Sequence, residues 1–296
     1  KGDEADEAVH SERSSRVRGG YDRVVEWLRA GLPSAPGTLR LNTAVAEIRW
    51  EPGHVRLAVR AAGGADDGRG DGARETIAAR CAIVTVPLGV LQQPPDAPGA
   101  IRFAPALPDK DAALGALHMG AVVKVVLRFR EPFWAAAVGG HEGRGGRAPL
   151  GFLRTPEEPI PTWWTQAPGP APVLAGWTGG PNAERLSALS DDELRDVALE
   201  TLGHVFGGLG GRRRVESLLV SWHYHDWQRD PFARGAYSYV GVNGVPAQEA
   251  LARPVESTLY FAGEATEYHG HFSTVHGAIA SGQRAAQEVL VRLGRA

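Results

Sequence analysis

The chain has 296 residues, 43% of them hydrophobic, and its 32 Lys and Arg against 34 Asp and Glu leave a formal charge of -2. That length and apolar fraction can bury a large core in one or two domains, and so balanced a charge gives no electrostatic case for nucleic acid or an anionic membrane as partner. No apolar run approaches the roughly 18 residues of a membrane span, and the single cysteine, Cys81, excludes an internal disulfide framework and is expected to be an inert buried thiol.

Residues 2–15 are acidic and carry no apolar period, so no packed element is expected there, and the chain opens on Lys1 without a signal-peptide pattern. Residues 21–29 hold Val24, Val25 and Leu28 at helical spacing before Gly31 and Pro33, which predicts a short helix with those three inward. Alternation predicts strands over 39–50, 55–61 and 76–86, the last two joined across an exposed Gly/Asp loop at 63–74. Residues 87–108 are proline-rich and read as the passage into a second domain. Strands at 122–129, 173–178 and 216–223 then build a second sheet. Ser190 and Glu193 form a capping box that opens a helix burying Leu194, Val197, Ala198, Leu202 and Val205 and ending at Gly207.

A nucleotide-dependent oxidoreductase normally grips a pyrophosphate with Gly-x-Gly-x-x-Gly between a strand and a helix. This chain has no such motif. Phe206-Gly-Gly-Leu-Gly-Gly211 follows a helix and reads as its stop, and the glycine-rich residues 138–147 follow no strand that feeds a helix and read as a surface loop.

Residues 259–262 form a short apolar run that stops at Gly263, which predicts a buried strand with Glu264 at its end. From Val275 onward Ala278, Ile279, Gly282, Ala285, Ala286, Val289 and Leu290 recur at helical spacing, with small residues where the helix must lie close to a sheet. Strand, acid and helix together make a cradle for a mononucleotide: the carboxylate accepts from sugar hydroxyls, and the helix N-terminus offers free N–H groups. An ordinary buried strand–helix unit with a solvated Glu264 fits the same spacing.

Lys124 poses a similar choice. Alternation places Val122, Lys124, Val126 and Arg128 on one face of a strand and Val123, Val125, Leu127 and Phe129 on the other. Taken alone, the pattern favours Lys124 and Arg128 marking a solvent face, because lysine is seldom buried. Trp227, Phe232 and Tyr237 read on their own as core aromatics. His269 and His271, one residue apart, lack the cysteine or carboxylate cluster that would complete a metal site, so no metal is expected.

The stretch Phe261-Ala-Gly-Glu-Ala-Thr266 followed by Ser273-Thr-Val-His-Gly-Ala-Ile-Ala-Ser-Gly-Gln-Arg284 closely resembles the flavin-binding signature of the flavin-containing amine oxidases. Further blocks match in order: Arg18-Gly-Gly-Tyr-Asp22, residues 41–48, residues 84–91, Met119 to Val126, and Asp226 to Ser238. The resemblance implies an α/β fold, with a partial FAD-binding Rossmann-like domain (residues 1–89 and 226–296) and a mixed-sheet substrate-binding domain (residues 90–225). It implies FAD contacts at Val45, Pro87, Trp227, Gly263, Glu264, Thr274 and Val275, chemistry at Lys124, Tyr237 and Thr274, and a substrate pocket at Trp164, Tyr237 and His271. In the family the lysine matched by Lys124 holds a water at flavin N5, and the tryptophan matched by Trp227 packs on the flavin.

Two positions refine the expectation. Thr274 stands where monoamine oxidases carry a tyrosine, as in the polyamine oxidase and lysine-specific histone demethylase branch, and a wider passage there favours secondary amines or polyamines. Ala236 stands where monoamine oxidases carry the cysteine that bonds to flavin, so the FAD is expected to be non-covalent. The implied reaction is hydride transfer from an amine to the flavin, giving an imine or aldehyde, with oxygen as second substrate and peroxide as product. Lys124 with Trp227 and Tyr237 disfavours a related desaturase or porphyrinogen oxidase. The family's amino-terminal dinucleotide-binding unit is expected to be missing and thus a required partner, the alternative being an inactive, scaffold-like remnant that binds no FAD. The expected compartment is the cytoplasm.

Overall fold

A computed structural model describes residues 17–35, 38–62, 75–136, 150–169, 171–242 and 244–295. These divide into two units: one collects the described residues up to Thr85, Gln93–Ala116 and those from Val242 onward, and the other holds Val86–Gln92 and Leu117–Gly241. In chain order the elements are α1 (Asp22–Ala30), β1 (Thr43–Glu51), β2 (His54–Ala61), β3 (Glu75–Ala79), β4 (Ala82–Val84), α2 (Leu88–Leu91), β5 (Arg102–Ala104) and α3 (Pro108–Ala116). Then come β6 (Leu117–Gly120), β7 (Val122–Phe129), β8 (Phe152–Arg154), β9 (Thr162–Thr165), β10 (Val173–Gly179), α4 (Pro181–Leu186), α5 (Asp191–Val205), α6 (Gly211–Leu218) and β11 (Leu219–His223). Last are β12 (Tyr237–Val240), α7 (Val245–Ala252), β13 (Leu259–Phe261) and α8 (Val275–Arg292).

In the first unit β1 and β2 form a hairpin over Pro52 and Gly53, β3 extends it, and β5 joins β1 in parallel, giving the order β3-β2-β1-β5. A second, two-stranded sheet pairs β13 with β4 in parallel. Parallel strands need both faces covered. Leu259, Tyr260 and Phe261 meet that need, each exposed by 2% or less.

Two cations close the surroundings of β13. Lys110 of α3 is only 3% exposed. Its Nζ donates to the carbonyls of Ala250 (2.8 Å), Leu251 (3.0 Å) and Arg253 (2.5 Å) at the end of α7, and stands 4.7 Å from the centre of the Phe261 ring. Every helix leaves such carbonyls orphaned at its C-terminus, where its dipole also favours a cation. Arg284 of α8 donates to the Phe261 carbonyl (2.7 Å) and pairs with Glu288 (2.9 Å).

The second unit is built on the sheet β11-β7-β10-β9-β8. Val123, Val125, Leu127 and Phe129 of β7 face the core with Leu174 and Trp163, and α5 covers them with Leu194, Ala198, Leu199 and Leu202. Gly176 on β10 is required by this packing, since a Cβ there would lie 2.6 Å from the Trp163 ring. The capping box opens α5 as the spacing predicts: Glu193 N–H donates to Ser190 Oγ, and Ser190 N–H to Glu193 Oε2 (2.8 Å). The glycine run at 206–211 ends α5 and opens α6.

The strands of the second unit's five-stranded sheet pair antiparallel, the connections at 155–161 and 166–172 joining β8 to β9 and β9 to β10 as hairpins; parallel and antiparallel pairing meet at β1. Residues 93–116 group with the first unit and 226–241 with the second. Several expectations need correction. The strand expected at 76–86 breaks at Arg80 into β3 and β4, which serve different sheets. Residues 216–218 complete α6, where Val215 and Leu218 are buried at helical spacing. α1 forms but has no buried residue, Val25 and Leu28 being 65% and 45% exposed. Cys81 is half-buried at the kink before β4. Phe232 is 44% exposed, because its loop is held by hydrogen bonds to Asp226 and Asp230 and not by burial. The stretches expected at 2–15, 63–74 and 138–147 lie outside the described residues.

Burial pushes the Lys110 ammonium from 10.5 down to about 8, with Arg253 and Arg284 acting in the same direction and Asp109 against them. The unfolded chain therefore binds more protons than the folded one between these values, and this group adds stability as pH climbs through that window. Lys110→Met keeps an apolar stem without the titration. Urea unfolding from pH 7.5 to 9.5 should show wild type gaining on the variant, by at most about 1.4 kcal/mol per pH unit; a gap that stays flat would contradict the assignment.

Candidate functional site

In the first unit the site residues converge at the end of β13. Gly263 follows the strand with φ of 132°, a conformation that favours glycine, and a Cβ there would meet nothing nearer than the Thr85 carbonyl at 4.0 Å. Its N–H donates to Ser281 Oγ (2.9 Å), and the same oxygen lies 3.0 Å from its carbonyl, so α8 is fastened to the strand end by a buried serine. Glu264 opens a short 3₁₀ turn, Glu264–Thr266, and its Oε2 accepts from Ser273 N–H (3.1 Å).

The connection from this turn to α8 is organised by a second carboxylate. Glu267, 4% exposed, accepts from His269 N–H (2.8 Å) and His271 N–H (2.6 Å). Thr274 is the N-cap of α8: its hydroxyl donates to the His271 carbonyl (2.5 Å) and accepts from Gly277 N–H (3.0 Å). Gly277 is forced by this closeness, since a Cβ there would sit 2.0 Å from the His271 carbonyl oxygen. Val275, half exposed, and His276 begin the helix, and among the described residues their N–H groups have no partner. Gly263, Glu264, Thr274 and Val275 are thus brought together as one corner. It combines a carboxylate, an open backbone and the positive end of an 18-residue helix.

Val45 stands elsewhere in that unit, on β1 beside a bulge that leaves Ala46 without a partner on β2. Ala46, Glu47, Pro95, Asp96 and Arg102 line a cavity of about 450 Å³ next to it. Glu47 is 5% exposed. Burial alone would raise its pKa, but hydrogen bonds from Arg102 (2.8 Å) and Arg49 (2.6 Å) outweigh it and hold the carboxyl below its ordinary range.

In the second unit Lys124 is itself exposed, on the face of β7 opposite Val123, Val125 and Leu127. Register places Trp177 of β10 directly beside it and Trp164 of β9 beside Ala175, so both indoles share its face. Lys124 Nζ stands 5.7 Å from the Trp164 ring centre, within cation–π range. Tyr237, 38% exposed, opens β12 opposite Gly120 of β6. Trp227, 44% exposed, sits in the loop between β11 and β12 with the His225 ring 4.3 Å away. Pro87 is an exposed residue that caps α2.

Sequence reasoning found the corner at Gly263 and the lysine on β7, but missed Ser281, Glu267, Trp177 and His225. Ser281 carried a signal: it is the polar member of a small-residue helix face. Trp177 carried another, being the penultimate residue of the strand expected at 173–178. Among the described residues no three His, Cys, Asp or Glu side chains are grouped to hold a metal.

Comparison with known proteins places this geometry in context. Polyamine oxidase 1 of Oryza sativa subsp. japonica is 34% identical over 93% of this chain and 56% of its own length. Lysine-specific histone demethylase 1 homolog 3 of Arabidopsis thaliana is 32% identical over 93% of this chain and 16% of its own. The chain thus spans about half, or much less, of the length of these relatives. A solved putrescine oxidase superposes with a TM-score of 0.70 at 20% identity, covering 94% of this chain and 54% of that one. The cyclohexylamine oxidase of Brevibacterium oxydans does so at 0.61 and 23%, over 85% and 48%. These likenesses fix the fold as α/β. The model of the flavin containing amine oxidoreductases matches residues 5–290, nearly the whole chain, and the chain belongs to that family.

Proposed function

We propose that the chain serves the FAD-dependent oxidation of an amine, and that the corner of Gly263, Glu264, Thr274 and Val275 is its cofactor end. That corner, in a chain matched almost throughout by the amine oxidoreductase family, is the observation that carries the reading. The donor set suits a dinucleotide: Glu264 is placed to accept from ribose hydroxyls, and the α8 N-terminus to donate to an electronegative oxygen. The Thr274 hydroxyl is engaged by His271 and Gly277, so Thr274 contributes by shaping the helix start and not by offering a donor. A bound flavin supplies the redox chemistry, taking a hydride from the carbon beside the amine nitrogen, with oxygen as the final acceptor and peroxide as the product. Without a cysteine at position 236 the flavin is held non-covalently.

In this reading Trp227 packs against the flavin ring, and Lys124 holds a water at the reacting edge. Val45 and Pro87 contact the cofactor as well, and Tyr237, Trp164 and His271 line the substrate pocket. An exposed lysine at neutral pH is a strong donor, and Trp164 and Trp177 give its surroundings an apolar floor. A chain spanning about half of its relatives' length also favours a second reading, a scaffold-like piece that binds no FAD by itself. The cheap discriminator is flavin absorbance that copurifies with the protein.

For the flavin-loaded protein, Glu264→Ala is expected to weaken FAD binding by about 1.5–3 kcal/mol, the worth of a hydrogen bond to a charged group, measured by equilibrium dialysis. Unchanged affinity would remove Glu264 from the site. Lys124→Met should retain the flavin yet slow its reduction or reoxidation in stopped flow. Wild-type rates with bound flavin would refute the role of Lys124. The polyamine oxidases among the relatives support secondary amines or polyamines as substrates, so turnover of spermine should exceed that of benzylamine, and the reverse order would overturn that choice.

A further inference from the structure

The loop between β11 and β12 holds its backbone in place without burying its aromatic residues. Asp226 Oδ1 accepts from the N–H groups of Gln228 (3.0 Å) and Arg229 (3.1 Å), and Asp230 Oδ1 accepts from Phe232 N–H (2.8 Å). Trp227 is tied at both of its backbone groups: its N–H donates to the His225 carbonyl (3.1 Å), and its carbonyl accepts from Gly235 N–H (2.8 Å). Gly235, with φ of 142°, fits against β6 where a Cβ would lie 2.3 Å from Met119 Cγ, and Ala236 N–H donates to the Gly120 carbonyl (3.0 Å). The main chain under Trp227 is therefore fixed.

The indole is not fixed by the same bonds. It is 44% exposed, and two side-chain torsions remain open to it. What meets it is the imidazole of His225, 4.3 Å between ring centres at an interplanar angle of 66°, an edge-to-face contact. That imidazole is in turn clamped, its Nε2 lying 2.8 Å from Asp230 Oδ2, so one carboxylate organises both the loop backbone and the ring beside Trp227. Burial pushes the Asp230 carboxyl up, but the Phe232 N–H and His225 outweigh it and keep Asp230 below its ordinary range, and so able to accept both bonds.

We propose that His225 is a positioning residue for Trp227: clamped by Asp230, its imidazole holds the indole edge-to-face and so sets the aromatic surface offered to the cofactor. The inference rests on the reading that Trp227 packs against the flavin. It does not require His225 to touch cofactor or substrate. Asp230 supplies the clamp, and the main-chain bonds supply the base on which the clamp works. An exposed histidine pair with no such duty would leave the indole indifferent to its removal.

The test has one arm without flavin and one with it. In the chain labelled with 5-fluorotryptophan, the Trp227 resonance is identified by its loss in Trp227→Phe. His225→Ala should move or broaden that signal and leave the other tryptophan signals in place, and Asp230→Asn should give the same change in smaller measure. His225→Phe, which keeps a ring but loses the bond to Asp230, should give a change like that of Asp230→Asn. In the flavin-loaded protein, His225→Ala should alter the visible circular dichroism of bound FAD and slow flavin reduction about tenfold, with the melting temperature and the amine KM unchanged; misplacing a reacting group by about 1 Å can cost up to a hundredfold. A Trp227 resonance unmoved in His225→Ala overturns the proposal. So does a flavin spectrum unchanged in His225→Ala while Trp227→Ala changes it, an outcome that leaves the reading of Trp227 standing. If Trp227→Ala changes neither spectrum nor rate, that underlying reading fails and the proposal with it.

Discussion

The ammonium of Lys110 is the interaction on which the corner at Gly263 and Glu264 depends. It stands at the one place where α3, the end of α7 and β13 meet, and it answers three carbonyl oxygens at once. A helix end buried without partners would cost on the order of 1–3 kcal/mol for each unsatisfied group, more than a three-residue strand can offset. With Lys110 present, α7 can end against the strand, Phe261 can lie beneath the cation, and Arg284 can take the Phe261 carbonyl from the other element, α8. The strand is then enclosed, and its next residues, Gly263 and Glu264, emerge at a defined point.

From that point outward, backbone N–H groups and carboxylates do the work that apolar packing does elsewhere. Glu264 and Glu267 each take N–H groups from the loop that leads into α8, and Thr274 ties the last turn of that loop to the helix it begins. Such bonds are directional, so they set the position of a few atoms more narrowly than burial could. A site that is to hold a ligand needs donors and acceptors fixed in this way.

What could be read in the sequence was what has a period or a local rule. The alternation of β7, the capping box of α5, the buried run of β13 and the small residues of α8 all obey one, and each formed as expected. The resemblance supplied the family, and Glu264 followed from a strand ending in glycine. What escaped was set by contacts between distant segments. No pattern in α3 announces that Lys110 will be buried, since its acceptors lie about 140 residues away. α1 has the inward spacing of a packed helix, and that spacing cannot tell whether anything covers it. Phe232 looked like core because aromatic residues usually are, yet its loop is anchored by aspartates.

The two lysines show most clearly how position decides role. Lys124 lies within a strand of valines, yet it is exposed on the face opposite Val123, Val125, Leu127 and Phe129, beside two indoles. Lys110 lies in a helix with two neighbouring aspartates, the composition of a surface, and it is the buried one. Hydrophobic neighbours in sequence are a poor guide here because a strand alternates and a helix turns, so adjacent residues point away from one another. The number of carbonyls within reach is the better guide. A lysine that satisfies three at a helix end acts as structure, and one held over an indole on a strand face leaves its ammonium outside the core.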